Sequence, residues 1–295
     1  MSVRTDVLMG TIVTIHVLCP GADEAVERAF DWFRQIEERC TRFDERSELM
    51  QLSTQIGVPV PASAILYEAV QFALMVAEES GGAFDPTVGH RMEARGFNRE
   101  YRTGQIVRTA IAPGDDVSYR DVHLDPDRRT ILLRRPLMLD LGAVAKGLAV
   151  DAAARELQPF TDFAIDAGGD LYLGGCNPNG APWTVGIRHP RLDNQLIDSL
   201  RVSNKAVCTS GDYERPIPGH GQGHHVLDPR TGVSPSAVAS ATVVAPTAML
   251  ADALATAVFV LGPADGIRLL GRLGVDGLIL TPELERYQTR GLCCE

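Results

Sequence analysis

The chain has 295 residues, 45% hydrophobic and 22% charged, enough apolar material for a large core and too ordinary a mixture for a disordered or fibrous polypeptide. A formal net charge of −10 argues against a general nucleic-acid binder, which would present a basic face, and leaves room only for a local basic pocket. No segment is long and apolar enough to span a membrane, and the first residues show neither a secretion signal nor a lipid-attachment cysteine, so a cytoplasmic location is expected.

Residues 9–17 alternate apolar side chains with Thr and His and predict a half-buried strand. Residues 22–39 place Ala25, Ala29, Phe33 and Ile36 at helical spacing. Leu66, Ala69, Val70, Ala73, Leu74 and Ala77 do the same ahead of Gly81 and Gly82. Residues 117–124 and 130–134 flank Asp125-Pro126-Asp127, a hairpin turn whose second strand is expected to run on toward Asp140. A helix over 143–157 is followed by short strands at 163–165, 171–173, 183–187 and 196–202. A strand at 241–245, a helix from about 247 to 260 stopped by Gly262, another short helix and a strand at 277–280 complete the chain. Strands and helices are mixed without strict alternation, which predicts an α+β fold with largely antiparallel sheets. No linker composition marks a boundary, so residues 1–295 read as a single domain, long enough to accommodate two lobes. The six cysteines, Cys19, Cys40, Cys176, Cys208, Cys293 and Cys294, lack metal-site spacing and read as reduced thiols.

The most informative segment is LDLGAVAKGLAVD at 139–151, where an apolar strand is expected to deliver Asp140 into a Gly turn and a helix carrying Lys146. A helix start offers unpaired N–H groups and a positive dipole end, Gly142 permits close approach, and Lys146 adds a full charge, so a phosphate-bearing ligand is expected. The spacing matches neither a phosphate-binding P-loop nor a GxGxxG dinucleotide turn, and a strand-to-helix connection capped by Asp140 is the alternative. Asp252 and Thr256, four residues apart on an Ala-rich helix, share a face and offer hard oxygen donors to a cation such as Mg²⁺. The competing roles are a helix cap for the Asp and a bond to its own helix carbonyl for the Thr. GGAFDPTVG at 81–89 is a shaped loop whose Phe84 could stack on a flat ring or simply anchor the loop as a buried aromatic, and IDAGGDLYLGG at 165–175 is a Gly-rich turn between strands, read equally as a tight hairpin or a ligand contact. In HHVLDPRTG at 224–232 a bend before Pro229 could bring His225 and Asp228 to one pocket, with His225 as proton acceptor and Asp228 orienting it.

Taken in order, MGT at Met9, RFDERSEL from Arg42, GGAFDPTVG, LDLGAVAKGLAVD, IDAGGD, TSGDYER from Thr209, HHVLDPRTG and ADALATAVFVLG from Ala251 make the chain resemble the ApbE family of FAD:protein FMN transferases over nearly its whole length. The resemblance implies an ApbE-like fold and a Mg²⁺-assisted transfer of FMN from FAD to a Ser or Thr hydroxyl of an acceptor protein, with release of AMP. It implies metal ligation by Asp252 and Thr256 with main-chain oxygens of Ala143 and Ala255. It also implies FAD contacts at Met9, Phe43, the Ala83-Phe84-Asp85 loop, Asp140, Lys146 and the His225-Val226 segment. Two departures are visible. Many members are exported lipoproteins and this sequence shows no such leader, and Phe43 stands where an aromatic with a hydroxyl is frequent. Three rivals remain open at this stage: an FAD pyrophosphatase using water, a flavin-binding protein without turnover, and a nicotinamide oxidoreductase disfavoured by the missing Rossmann fingerprint.

Overall fold

The structure, a computed structural model, describes residues 2–109, 116–214, 217 and 223–292. Cys293 and Cys294, and Arg215 at the end of the TSGDYER segment, lie outside the described residues. The strands are β1 (Ser2–Leu8), β2 (Thr11–Val17), β3 (Val60–Pro61), β4 (Val122–Asp125), β5 (Thr130–Leu133), β6 (Phe163–Ala167), β7 (Asp170–Gly174), β8 (Trp183–Arg188), β9 (Leu196–Val202), β10 (Lys205–Gly211), β11 (Ser240–Ala245), β12 (Asp276–Leu280) and β13 (Arg286–Gln288). The helices are α1 (Asp23–Cys40), α2 (Glu48–Ser53), α3 (Ala64–Glu79), α4 (Gly89–Ala94), α5 (Gly142–Leu157), α6 (Ala248–Leu261) and α7 (Pro263–Leu273).

Eight strands form one sheet in the order β1-β2-β6-β7-β10-β11-β12-β13, with every neighbouring pair antiparallel. Period-two side-chain alternation lets one face of β2 bury Val13, Ile15 and Val17 against the helices while Ile12 on the other face is 61% exposed. The helices α1, α3, α5, α6 and α7 cover the inner face, and the β8–β9 hairpin lies over part of the outer one, closing a smaller cluster around Ile187, Leu200, Val207 and Leu278. Covered on both sides, β11 is buried along its whole length. The fold is α+β and largely antiparallel, as expected. Among the described residues no helix is long and apolar enough to cross a membrane.

The helix boundaries at α1, α5 and α6 fall within about one residue of expectation. Three strand expectations are corrected. The first strand begins at Thr11, because Met9 and Gly10 both adopt positive φ and make the two-residue turn that pairs β2 with the unexpected β1. At the second hairpin, residues 119–121 coil into a short 3₁₀ turn, so β4 starts only at Val122. Its partner β5 ends at Leu133. Residues 134–141 belong to no strand; their buried Leu137, Met138 and Leu139 are fixed by Gly89 N–H on the Met138 carbonyl (3.1 Å) and Asp140 N–H on the Pro86 carbonyl (2.7 Å).

Helices α5 and α6 are the close pair at the centre of the core. An added Cβ at Gly147 would stand 2.4 Å from the Met249 Cα, so the glycine allows the two backbones to touch. Gly147→Ala should therefore force the helices apart and lower stability by about 1–3 kcal/mol, read as a drop in Tm by circular dichroism. An unchanged Tm would mean that the helix pair yields freely at this point.

Candidate functional site

The two helices open toward a cleft of about 1040 Å³. Its walls come from the start of α5, the β6–β7 turn, the end of β10, the 83–88 loop, the 225–229 segment and one face of α6. An adjoining cavity of about 1050 Å³ shares Arg42, Phe43, Asp140, Gly142 and Lys146 with it and is lined in addition by Met9.

At the base of the cleft, Lys146 of α5 bonds Asp170, which the Gly168-Gly169 turn delivers at the start of β7. The Lys146 Nζ is also 3.8 Å from Asp252 Oδ2 on α6. The side chains are 20%, 5% and 9% exposed for Lys146, Asp170 and Asp252. Two carboxylates and one ammonium leave a net charge of −1 in a poorly solvated place, which attracts a further cation. One turn along α6, the Thr256 hydroxyl stands 3.3 Å from the Ser210 Oγ of β10. The alternative role of Asp252 as a helix cap is excluded, because Thr247 caps α6 by accepting from Leu250 N–H.

Ala143 departs from helical geometry (φ −94°, ψ 17°), and since ψ sets the direction of the following carbonyl, that C=O is turned relative to the α5 ladder. Carboxylate, hydroxyl and carbonyl oxygens make a hard donor set suited to Mg²⁺. Among the described residues no three His, Cys, Asp or Glu side chains cluster to hold a metal unaided, so a cation here would be completed by oxygens from its substrate.

Phe43, Ala83, Phe84, Asp85, Asp140, Ala143, Lys146, His225, Val226, Asp252 and Thr256 all line the main cleft. Met9 lines the adjoining cavity, while Ala255 is fully buried and Asp228 lies outside the lining. Several acidic groups act on the protein rather than toward the opening. The Asp140 carboxylate accepts from Gly142 N–H at 2.8 Å and from the buried Arg42 Nε at 2.7 Å, so it braces the start of α5. Arg42 in turn lies 4.3 Å over the Phe43 ring and donates to the Phe97 carbonyl. Asp85 accepts from the Thr87 N–H and hydroxyl and from Tyr119 N–H, and burial nevertheless pushes its carboxyl above the usual range. The expected contact from Asp228 to His225 is replaced by a two-oxygen pairing of Asp228 with Arg230, at 2.9 Å each, which lowers its pKa against the effect of partial burial. A flanking guanidinium outcompetes a ring three residues back in a tight turn.

Next to His225, the His224 Nε2 meets the Pro235 carbonyl at 3.0 Å, and burial holds that imidazole below its ordinary pKa. The Ser234 hydroxyl takes the His224 N–H and donates to its carbonyl, while Arg95 bonds Ser234. The segment carrying His225 is thereby tied to Arg95, just past the end of α4. Arg42, Asp170 and Ser210 are the site residues that sequence reasoning missed. The visible signals were an Asp directly behind two glycines and an Arg directly before Phe43.

Known proteins resemble the chain in sequence and in fold. The FAD:protein FMN transferase of Treponema pallidum is 33% identical over 319 aligned residues, covering 98% of this chain and 87% of the relative. That of Haemophilus influenzae is 29% identical, covering 86% and 79%. The crystal structure of the ApbE protein of Thermotoga maritima superposes with a TM-score of 0.85 at 29% identity, over 98% of this chain and 97% of that one. A sequence model of the ApbE family matches residues 9–279, and the chain belongs to that family.

Proposed function

We propose that this chain transfers the FMN half of FAD to a Ser or Thr hydroxyl of an acceptor protein in a Mg²⁺-dependent reaction that releases AMP. One observation carries the reading: an ammonium paired with two buried carboxylates lines, together with an imidazole, one cleft at the start of a helix. The names of the relatives support the transfer of FMN from FAD to a protein.

Asp252 and Thr256 would hold the metal, with main-chain oxygens of Ala143 and Ala255. When bound, Mg²⁺ neutralises charge that grows on the departing phosphate. Lys146 and the N–H groups at the start of α5 bind the pyrophosphate, where charge and dipole both favour an anion. Phe43 and Phe84 offer ring faces to flat parts of FAD, the Asp85 loop sets their approach, and Met9 and Val226 provide apolar contact. Asp140 acts through Arg42 and Gly142 by fixing the helix start. His225 takes the proton from the incoming hydroxyl as its oxygen bonds to the FMN phosphorus and the bond to the AMP oxygen breaks. Asp228 shapes the turn that carries His225.

Mass spectrometry of a candidate acceptor incubated with FAD and Mg²⁺ tests the reaction. Covalent flavin on a Ser or Thr supports transfer, whereas AMP release without flavinylated protein identifies a pyrophosphatase. Asp252→Ala should lower Mg²⁺-dependent AMP release by about 10²–10³-fold while the protein still binds FAD in equilibrium dialysis; an undiminished rate removes the metal assignment. His225→Ala should cost about 10²–10⁴ in rate and abolish the rise of rate with pH on the acid side, where an imidazole base loses its proton. A normal pH profile in that variant assigns the proton acceptor elsewhere.

A further inference from the structure

We propose that Asp151, a residue outside the cleft lining, is a positioning residue that sets the register of α6 against α5 and so holds Asp252 where the cation binds. The inference rests on the metal-dependent reading of the cleft given above.

The Asp151 carboxylate leaves α5 and accepts two backbone N–H groups from the first turn of α6, Ala248 at 2.7 Å and Met249 at 3.0 Å. Of the first-turn amides of α6, Asp151 satisfies two and the Thr247 side chain a third. Thr247 caps Leu250 N–H through its side chain, and Ala251 N–H reaches the Thr247 carbonyl at 3.1 Å. The cap of α6 is thus shared between Thr247 and Asp151, and the Asp151 part of it ties α6 to α5.

That constraint is held at a cost. Asp151 is 7% exposed, and burial pushes its carboxyl up to about 6 although both amides favour the charged form. Arg155 on the same helix lowers it, while Glu68 of α3 raises it. A small apolar residue here would avoid burying charge but would take the acceptor from the Ala248 and Met249 N–H groups, and Ala248 is fully buried. What the carboxylate supplies is direction, since two acceptor oxygens fix two successive amides at once.

The same two helices meet at three points in succession. Asp151 clamps the first turn of α6, Gly147 lies against the Met249 backbone, and the Lys146 Nζ is 3.8 Å from Asp252 Oδ2. From Ala248 to Asp252 the rise is about 6 Å, one turn of rigid helix, so a shift at the clamp passes directly to the carboxylate that faces Lys146. Asp151 touches neither Lys146 nor Asp252 in the hydrogen bonds it makes. Its effect runs through the backbone of α6.

The test uses the whole chain with FAD and Mn²⁺ as the probe, following the free Mn²⁺ signal by electron paramagnetic resonance. In Asp151→Asn one acceptor becomes a donor facing an N–H group, and the Mn²⁺ dissociation constant measured with FAD should rise at least about tenfold. FAD affinity without metal should change less than about threefold. Ala248→Pro gives a second route. Proline is accepted at the first helical position and deletes the N–H that Asp151 binds at 2.7 Å, so it should weaken Mn²⁺ in the same way. The double variant should be no worse than Asp151→Asn alone, because both remove one interaction. If wild-type protein binds Mn²⁺ with FAD and folded Asp151→Asn or Ala248→Pro binds it equally well, the positioning role is overturned. If wild-type protein shows no Mn²⁺ binding, the metal reading of the cleft fails and this inference with it.

Discussion

Two buried carboxylates share one lysine ammonium at the base of the cleft, and much of the surrounding structure serves to keep them there. Desolvating three charged groups is expensive, and their mutual attraction offsets the cost only when the geometry is fixed. The fixing comes from three separate elements. Lys146 arrives on α5, Asp252 on α6, and Asp170 behind a glycine turn between β6 and β7. A helix, a helix and a sheet edge must therefore be mutually aligned before the charges can meet. The backbone contact at Gly147 and the antiparallel register of β6 with β7 are the means of alignment.

This arrangement reconciles the overall acidity of the chain with an anionic ligand. At −10 the protein as a whole repels phosphate, so binding depends on a short-range site where Lys146 and the start of α5 act at low effective dielectric. A bound cation would alter the local balance in the same place. With a net charge of −1 the cluster is short of positive charge, and a divalent ion with an anionic ligand can be added together more easily than either alone.

The sequence made the helices and the identity of the cleft residues legible, because both follow from local chemistry. Ala-rich α6 carries only Asp252 and Thr256 as polar groups between 251 and 262, and two oxygens on one face of an apolar helix stand out. The partners were not legible. Asp140 meets Arg42 from 98 residues away, and Lys146 meets Asp170 across 24, so neither pairing has a local signature. The unexpected strands have similar causes. β1 carries Arg4 and Asp6 on the face toward α1, where they join Glu27 and Arg34 in ion pairs, so its charge hid a fully paired strand. β10, for which no strand was expected, ends in the polar Thr-Ser-Gly and is held by pairing with β7 on one edge and β11 on the other. Asp228 has a local partner instead, since Arg230 lies two residues away and reaches both oxygens within the turn.

The acidic residues of the recognised motifs thus divide by what they face. Asp252 and Asp170 meet the lysine, whereas Asp140 and Asp85, which also line the cleft, and Asp151 and Asp228, which do not, bond backbone amides, a hydroxyl or guanidinium groups. A motif rich in Asp is consequently more a record of how a site is braced than of how many ligands it offers. The distinction has a physical basis: an Asp side chain reaches backbone N–H groups two or three residues away, so it stabilises turns and helix starts wherever a cleft is built from them. The cleft here is built largely from such turns and starts. Its chemistry then depends on the few carboxylates that the bracing leaves directed inward.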